Sequence, residues 1–179
     1  MGFLKYLKLM AHIRIRSKEG HILYKGERLI LTPPDTYGRL YERLTKIIGK
    51  GGAASALYMG SKESSKSVYR LMLKLFREED IKSEETFGKT LEELMSISGY
   101  GKAEALKVDF EKPEVVIRVL GFITSSGVDK SEVPVCHVER GVLTGIIECI
   151  TGKTCTGREV KCQAMGDEYC EFIIIGSEG

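Results

Sequence analysis

The sequence has no apolar run approaching the length of a bilayer-spanning helix, which excludes a helical membrane span. It also lacks a signal-peptide core. Lys5 and Lys8 interrupt the apolar start MGFLKYLKLMAHIRIRS, and no small-residue cleavage site follows. Gly2 is not backed by the Ser or Thr at position 6 that myristoylation needs, because Tyr6 stands there. Charge of one sign is missing too. A net +2 over 179 residues gives the whole molecule no electrostatic case for nucleic acid. The first thirty residues are locally basic, through Lys5, Lys8, Arg14, Arg16, Lys18, Lys25 and Arg28. A solvated basic rim is the expectation there, with surface binding as the alternative. The first 135 residues contain no cysteine. With five cysteines, an odd number, and no export signal, the expected setting is reducing and cytoplasmic.

All five cysteines (136, 149, 155, 162 and 170) fall in the last 44 residues. This divides a helical front half from a thiol-bearing C-terminal unit. HILYK and ERLILT read as two short strands with a Lys25-Gly26 turn. Thr32 and Pro33 suit a helix start. Leu40, Leu44, Ile47 and Ile48 then form a helical stripe that Gly49-Lys50-Gly51-Gly52 interrupts, and a longer helix runs on to about Phe76. A further helix fits 84–97, with Phe87, Leu91, Leu94 and Met95 on its buried side. The period then changes to two. Leu106, Val108 and Phe110 share one face of AEALKVDF, and Val115, Ile117 and Val119 share one face of PEVVIRVLGF, so the pair reads as a hairpin. A helix from Gly141 to Ile150 ends at Gly152, and a hairpin over roughly 157–163 and 169–175 follows. Helices first and antiparallel strands later indicate an α+β fold with the helices on one face of the sheet. The expected organisation is an N-terminal extension and short hairpin over 1–32 and a single domain over 33–179.

Two sequence features do not carry chemistry. Residues 152–154 read GKT, yet Ile147 occupies the position where a phosphate-binding loop needs its first glycine, and this GKT ends a helix instead of opening one. GKGG at 49–52 reads as a helix break. The three histidines, His12, His21 and His137, lie in unrelated contexts.

EVKCQAMGDEYCEF, residues 159–172, carries the informative pair. A loop of Met165, Gly166 and Asp167 sets Cys162 opposite Cys170, with Cβ atoms about 5 Å apart. Val160, Ala164, Phe172 and Ile174 share that face, which is therefore the buried one. A metal would use such thiols, and zinc would need two more ligands from Cys136, His137, Cys149, Cys155 and Glu159. Buried structural cysteines are the alternative.

The stretch from Cys136 to Phe172 resembles the 4-vinyl-reductase domain family. The features are Cys136, the rhythm G-V-L-T-G-I-I-E-C-I-T-G from Gly141 to Gly152, and E-x-x-C-x-x-x-G-D-x-x-C-x-F from Glu159. That family includes the small-molecule-binding modules of aromatic-responsive bacterial regulators, proteins of bacteriochlorophyll biosynthesis and stand-alone archaeal proteins. The resemblance implies a fold like the subunits of the TRAPP vesicle-tethering complex, with helices on an antiparallel sheet around a hydrophobic pocket. It also implies a structural Zn²⁺ held by Cys136, Glu159, Cys162 and Cys170, in a zinc-bearing unit over 136–175. Cys155 is the rival fourth ligand. Glu159 and Cys162 are three apart and point to opposite faces of a regular strand, so Glu159 must precede the strand or a bulge must re-aim it. Phenol-sensing members use a tryptophan, and this chain has none, which argues against phenol.

The expected function is a homodimeric sensor domain that binds a small hydrophobic ligand and signals through a partner protein. Phe87, Leu91, Val115, Ile117 and Ile146 are the candidate pocket lining, and no nucleic-acid or membrane partner is expected. One alternative is an enzyme or accessory in tetrapyrrole vinyl reduction, though the chain shows no dinucleotide or flavin motif. Another is a redox role for Cys162 and Cys170, which needs an accessible thiol of low pKa. The third is a structural adaptor with a filled core.

Overall fold

The computed structural model describes residues 11–177, so Lys5, Tyr6 and Lys8 lie outside the described residues. It forms two compact units, divided between Pro33 and Pro34. Among the described residues no helix is long and apolar enough to cross a membrane.

The first unit is a three-stranded antiparallel meander of β1 (Ile13–Arg16), β2 (His21–Tyr24) and β3 (Glu27–Leu29). The anticipated two-residue turn joins β2 to β3. Lys25 (φ 47°) and Gly26 (φ 86°) both take the left-handed conformation that suits the twist of a tight hairpin. β1 is an addition to the sequence expectation. Its Ile-Arg-Ile-Arg alternation is strand-like but sits inside a stretch whose basic character dominates the reading.

The second unit begins with α1 (Thr36–Leu75), three residues later than expected. Pro34 holds the residue before it in extended conformation, so the chain cannot turn helical at Pro33. The first turn is fastened instead by Asp35, whose Oδ2 accepts from Arg39 Nε at 2.6 Å. Gly49 breaks α1 at φ 77°, ψ 164°, the anticipated interruption. There follow α2 (Glu78–Lys82), α3 (Glu84–Ser98), β4 (Lys102–Asp109), β5 (Glu114–Leu120), α4 (Ile123–Ser126), α5 (His137–Thr151), β6 (Cys155–Lys161), a 3₁₀ turn (Gln163–Met165) and β7 (Cys170–Gly176). The single-turn helices α2 and α4 are too short to leave a periodic signal. Gly99 and Gly152 end α3 and α5 in the left-handed conformation.

β4 to β7 form one antiparallel sheet in the order β4-β5-β7-β6. α3 packs on β4 and α5 on β6, while the second half of α1 lies along α5. That helix pair is very close. A Cβ on Gly141 would sit 2.0 Å from Ser61 Oγ, and one on Gly145 2.0 Å from Ser65 Oγ. The core joins the helix residues Phe87, Leu91, Leu143, Ile146 and Ile147 to Val115, Ile117, Val119, Phe172 and Ile174 of the sheet. The fold is α+β, as the pattern indicated.

Two bulges correct the strand reading. In β4 the register shifts between Ala105, opposite Ile117, and Lys107, opposite Val116. Leu106 is the extra residue and is exposed, so Ala103, Ala105 and Val108 share the inner side in place of Leu106 and Val108. In β6 the shift falls between Glu159, opposite Phe172, and Lys161, opposite Glu171. Val160 is the extra residue there and is 47% exposed, against the expectation of burial. The loop is longer than three residues, because the chain leaves the ladder at Cys162 and rejoins it at Cys170.

Candidate metal centre

Four elements deliver four side chains to one buried point. Cys136 is the residue before α5, Glu159 lies on β6, Cys162 opens the loop after β6, and Cys170 begins β7. Their ligand atoms all lie within 4.8 Å of one another, and all four residues are buried. Cys136 Sγ and Cys170 Sγ are 3.8 Å apart. A disulfide would bring them to about 2.05 Å. Two sulfurs each about 2.3 Å from a tetrahedral zinc would be about 3.8 Å apart.

Each ligand is placed by local chemistry. The β6 bulge turns Glu159 onto the same side as Cys162, which ordinary strand alternation forbids. One Glu159 oxygen, Oε2, accepts the Cys136 backbone N–H at 2.9 Å. The other, Oε1, is buried with no hydrogen-bond partner. Leaving such an oxygen unpaired costs about 1–3 kcal/mol, and a cation among the sulfurs would satisfy it. The loop is closed by the Gly-Asp pair of the motif. Gly166 takes φ 101°, and Asp167 Oδ2 accepts the Cys162 N–H at 2.8 Å. Gln163 donates its N–H to Cys170 Sγ at 3.4 Å, while its side-chain oxygen receives the N–H groups of Gly121 and Phe122 at 3.1 and 3.2 Å. The loop is thus pinned to the end of β5. Asp167 and Gln163 are supporting residues that the sequence reading missed; the need for a closed loop between the two thiols was the signal for the Asp.

The electrostatics suit a cation. Contacts with Cys136 and then Cys170 pull the Cys162 thiol down to about 2. The same contacts, with Cys162 and then Cys170, and burial push Cys136 well up. For Cys170 the Cys136 contact lowers the value, but Cys162 and burial outweigh it and raise it to about 12. Burial, followed by the charge on Cys162, lifts Glu159 to about 9. The cluster therefore holds one negative charge readily and resists more. The residues could hold a metal ion, and a soft divalent cation would stabilise the remaining charges. The N-terminal end of α5, at Cys136, adds a favourable dipole.

The other sequence candidates lie elsewhere. Cys155 is at the far end of β6, buried, with Sγ donating to the Lys153 carbonyl at 3.5 Å. It is not part of the donor set. Cys149 is half-buried on α5, short of the core position expected for it. His137 packs edge-on to Tyr41 with ring centroids 4.8 Å apart, and burial lowers its pKa to about 4. Phe87, Leu91, Val115, Ile117 and Ile146 come together, all fully buried in the core cluster. A second buried acid escaped the sequence reading. Glu139 accepts from Thr124 Oγ1 through one oxygen, has no partner for the other, and is raised to about 7 by burial.

Comparison with known proteins bears on this geometry. Two Methanocaldococcus jannaschii proteins are similar in sequence. The uncharacterized protein MJ1642 is 31% identical over 86 residues, covering 48% of this chain and 53% of its own. The uncharacterized protein MJ0745 is 36% identical over 69 residues, covering 38% and 37%. The chain spans about half the length, or less, of these curated relatives. Among solved structures, the phenol-responsive sensory domain of the transcription activator PoxR, with phenol, superposes with a TM-score of 0.78 at 20% identity, over 98% of this chain and 91% of that one. A vinyl-4-reductase family protein from M. jannaschii gives 0.53 at 20% identity, over 99% and 98%. A trafficking protein particle complex subunit 3 from Naegleria fowleri, covalently bound to palmitic acid, gives 0.62 at 12% identity, over 81% and 95%. At these identities the likeness is one of fold. Residues 115–175, which hold all four clustered ligands, match the family model of the vinyl-4-reductase (V-4-R) domain, and the chain is identified by that segment as a carrier of this domain.

Proposed function

We propose that the chain is a small-molecule sensor domain built around a structural Zn²⁺ site and working through a partner protein in the cytoplasm. The observation that carries the metal is the buried Cys136-Glu159-Cys162-Cys170 set with its unpartnered carboxylate oxygen. Four protein ligands close a tetrahedral site, so the ion would hold structure and leave no position for a reacting water. It would join the start of α5 to the β6–β7 hairpin.

Sensing is supported by the PoxR sensory domain's likeness across nearly the whole chain. The ligand would occupy the apolar region of Phe87, Leu91, Val115, Ile117 and Ile146, between α3, α5 and the sheet. A homodimer would bring two such domains together, and the exposed Leu40, Ile47 and Ile48 on α1 offer an apolar face for it. One observation favours a second reading. Those five lining residues are packed to 0–1% exposure, as in a structural adaptor with a filled core.

The test combines elemental analysis of protein purified without added metal, native mass spectrometry and thermal shift with a panel of small apolar compounds. One zinc per chain and a co-purifying or stabilising apolar compound are expected. Zinc without any such compound supports the adaptor. A chain free of metal overturns the zinc site.

A further inference from the structure

The small N-terminal unit sorts its side chains onto two unlike faces. Directly paired residues of neighbouring strands point the same way. Arg14, Leu23 and Arg28 therefore form one row across β1, β2 and β3, and Arg16 and His21 form the next. The opposite face takes Ile13, Tyr24 and Glu27, and Ile15, Ile22 and Leu29. Lys18 lies in the turn after β1, and Lys25 in the turn after β2. A groove of about 300 Å³ runs along the basic side, lined by His12, Arg14, Arg16, Leu23 and Lys25.

The charge is segregated along the chain as well as across the sheet. Residues 1–33 hold seven Lys and Arg against Glu19 and Glu27, a net +5, which leaves −3 for the rest of a chain whose total is +2. Glu19 is taken up by Arg16 at 3.2 Å, with His21 at 3.7 Å. Among the described residues Arg14, Lys18 and Arg28 meet no acid and are exposed. Just past Arg28 come Ile30 and Leu31, consecutive aliphatics that are 75% and 86% exposed.

We propose that this face docks on an anionic lipid surface. Arg14, Arg16, Lys18 and Arg28 meet the headgroup phosphates, the groove receives one of them, and Ile30 and Leu31 enter the acyl boundary. Cations beside adjacent aliphatics are what such a boundary takes. A single-stranded nucleic acid would call for aromatic rings to stack its bases, and the unit's tyrosine, Tyr24, is on the opposite face. This departs from the sequence expectation of a solvated rim, because face segregation is a property of the strand register and not of composition.

The test is co-sedimentation of the full chain with vesicles of phosphatidylcholine alone or with one third phosphatidylglycerol. Binding to the anionic vesicles alone, released in high salt, is expected. Each cation contributes roughly fivefold in partition, so Arg14→Glu/Lys18→Glu/Arg28→Glu should weaken binding by about a hundredfold or more. Lys46→Glu/Lys50→Glu/Lys89→Glu carries the same charge change on the other unit and should keep most of it. Ile30→Ser/Leu31→Ser should reduce binding while the melting curve stays unchanged. Equal loss in both triple variants, no preference for anionic vesicles, or displacement from vesicles by a short oligonucleotide would overturn the proposal.

Discussion

Glu159→Gln separates a metal ligand from a mere hydrogen-bond acceptor. The glutamine keeps an oxygen for the Cys136 N–H that Glu159 Oε2 now receives at 2.9 Å. It replaces the unpartnered Oε1 with an amide group and removes a carboxyl that burial holds at about 9. In chelator, the variant therefore loses little. Its melting temperature should stay within about 3 °C of the parent, since 1 kcal/mol corresponds to roughly 2–4 °C for a chain of this size. With zinc the outcome differs. Exchanging a supporting residue around a metal typically costs ten- to a hundredfold in affinity, and loss of a direct, charged ligand should cost at least the upper figure. A hundredfold change is about 2.7 kcal/mol of ligand-linked stability, or roughly 5–11 °C. The assay is paired thermal melts in chelator and in buffered zinc, with a competitive-dye titration of affinity. If parent and variant gain equally from zinc, Glu159 is not a ligand and the Cys₃Glu site is wrong.

Further outcomes follow from the same coordinates. Cys162→Ser and Cys170→Ser should each lower bound zinc and melting temperature, whereas Cys155→Ser, remote from the donor set, should leave the zinc content at the parent value. Gly145→Ala should destabilise by about 1–3 kcal/mol, read by denaturant unfolding, because its Cβ would meet Ser65 Oγ at 2.0 Å and the Lys62 carbonyl at 2.5 Å. Glu139 is raised from 4.5 to about 7, so its proton stabilises the fold most fully below pH 4.5, and that contribution is lost as pH rises through 7. Ionisation costs roughly 3 kcal/mol at the upper end. Glu139→Gln should flatten the parent's stability decline between pH 5 and 8; an unchanged slope would remove Glu139 as its source.

The helices and the inner sheet face were legible because periodicity reports burial directly. Phe87, Leu91 and Leu94 on α3, and Val115, Ile117 and Val119 on β5, are buried as spaced. The thiol pair was legible because its two arms flank a turn signal. What escaped depended on single residues that break a period. Leu106 and Val160 look like strand residues, and only the paired strand reveals that each is surplus. Glu139 reads as a surface carboxylate on a helix, yet its neighbour Thr124 comes from a four-residue helix that leaves no periodic trace. The need for a bulge beside Glu159 could be derived from parity alone, though its position could not.

That bulge makes the length of β6 a fixed quantity. Deleting Val160 would restore ordinary alternation and rotate everything upstream of Cys162 by half a turn, exposing Glu159 and Gly157. Gly157 could not then keep its place against α5, where a Cβ would already strike Thr144 Oγ1 at 2.2 Å. Insertions and deletions that surface loops absorb without harm are thus excluded from six residues, Gly157 to Cys162, and any chain that keeps this four-ligand arrangement on this sheet must keep that spacing as well.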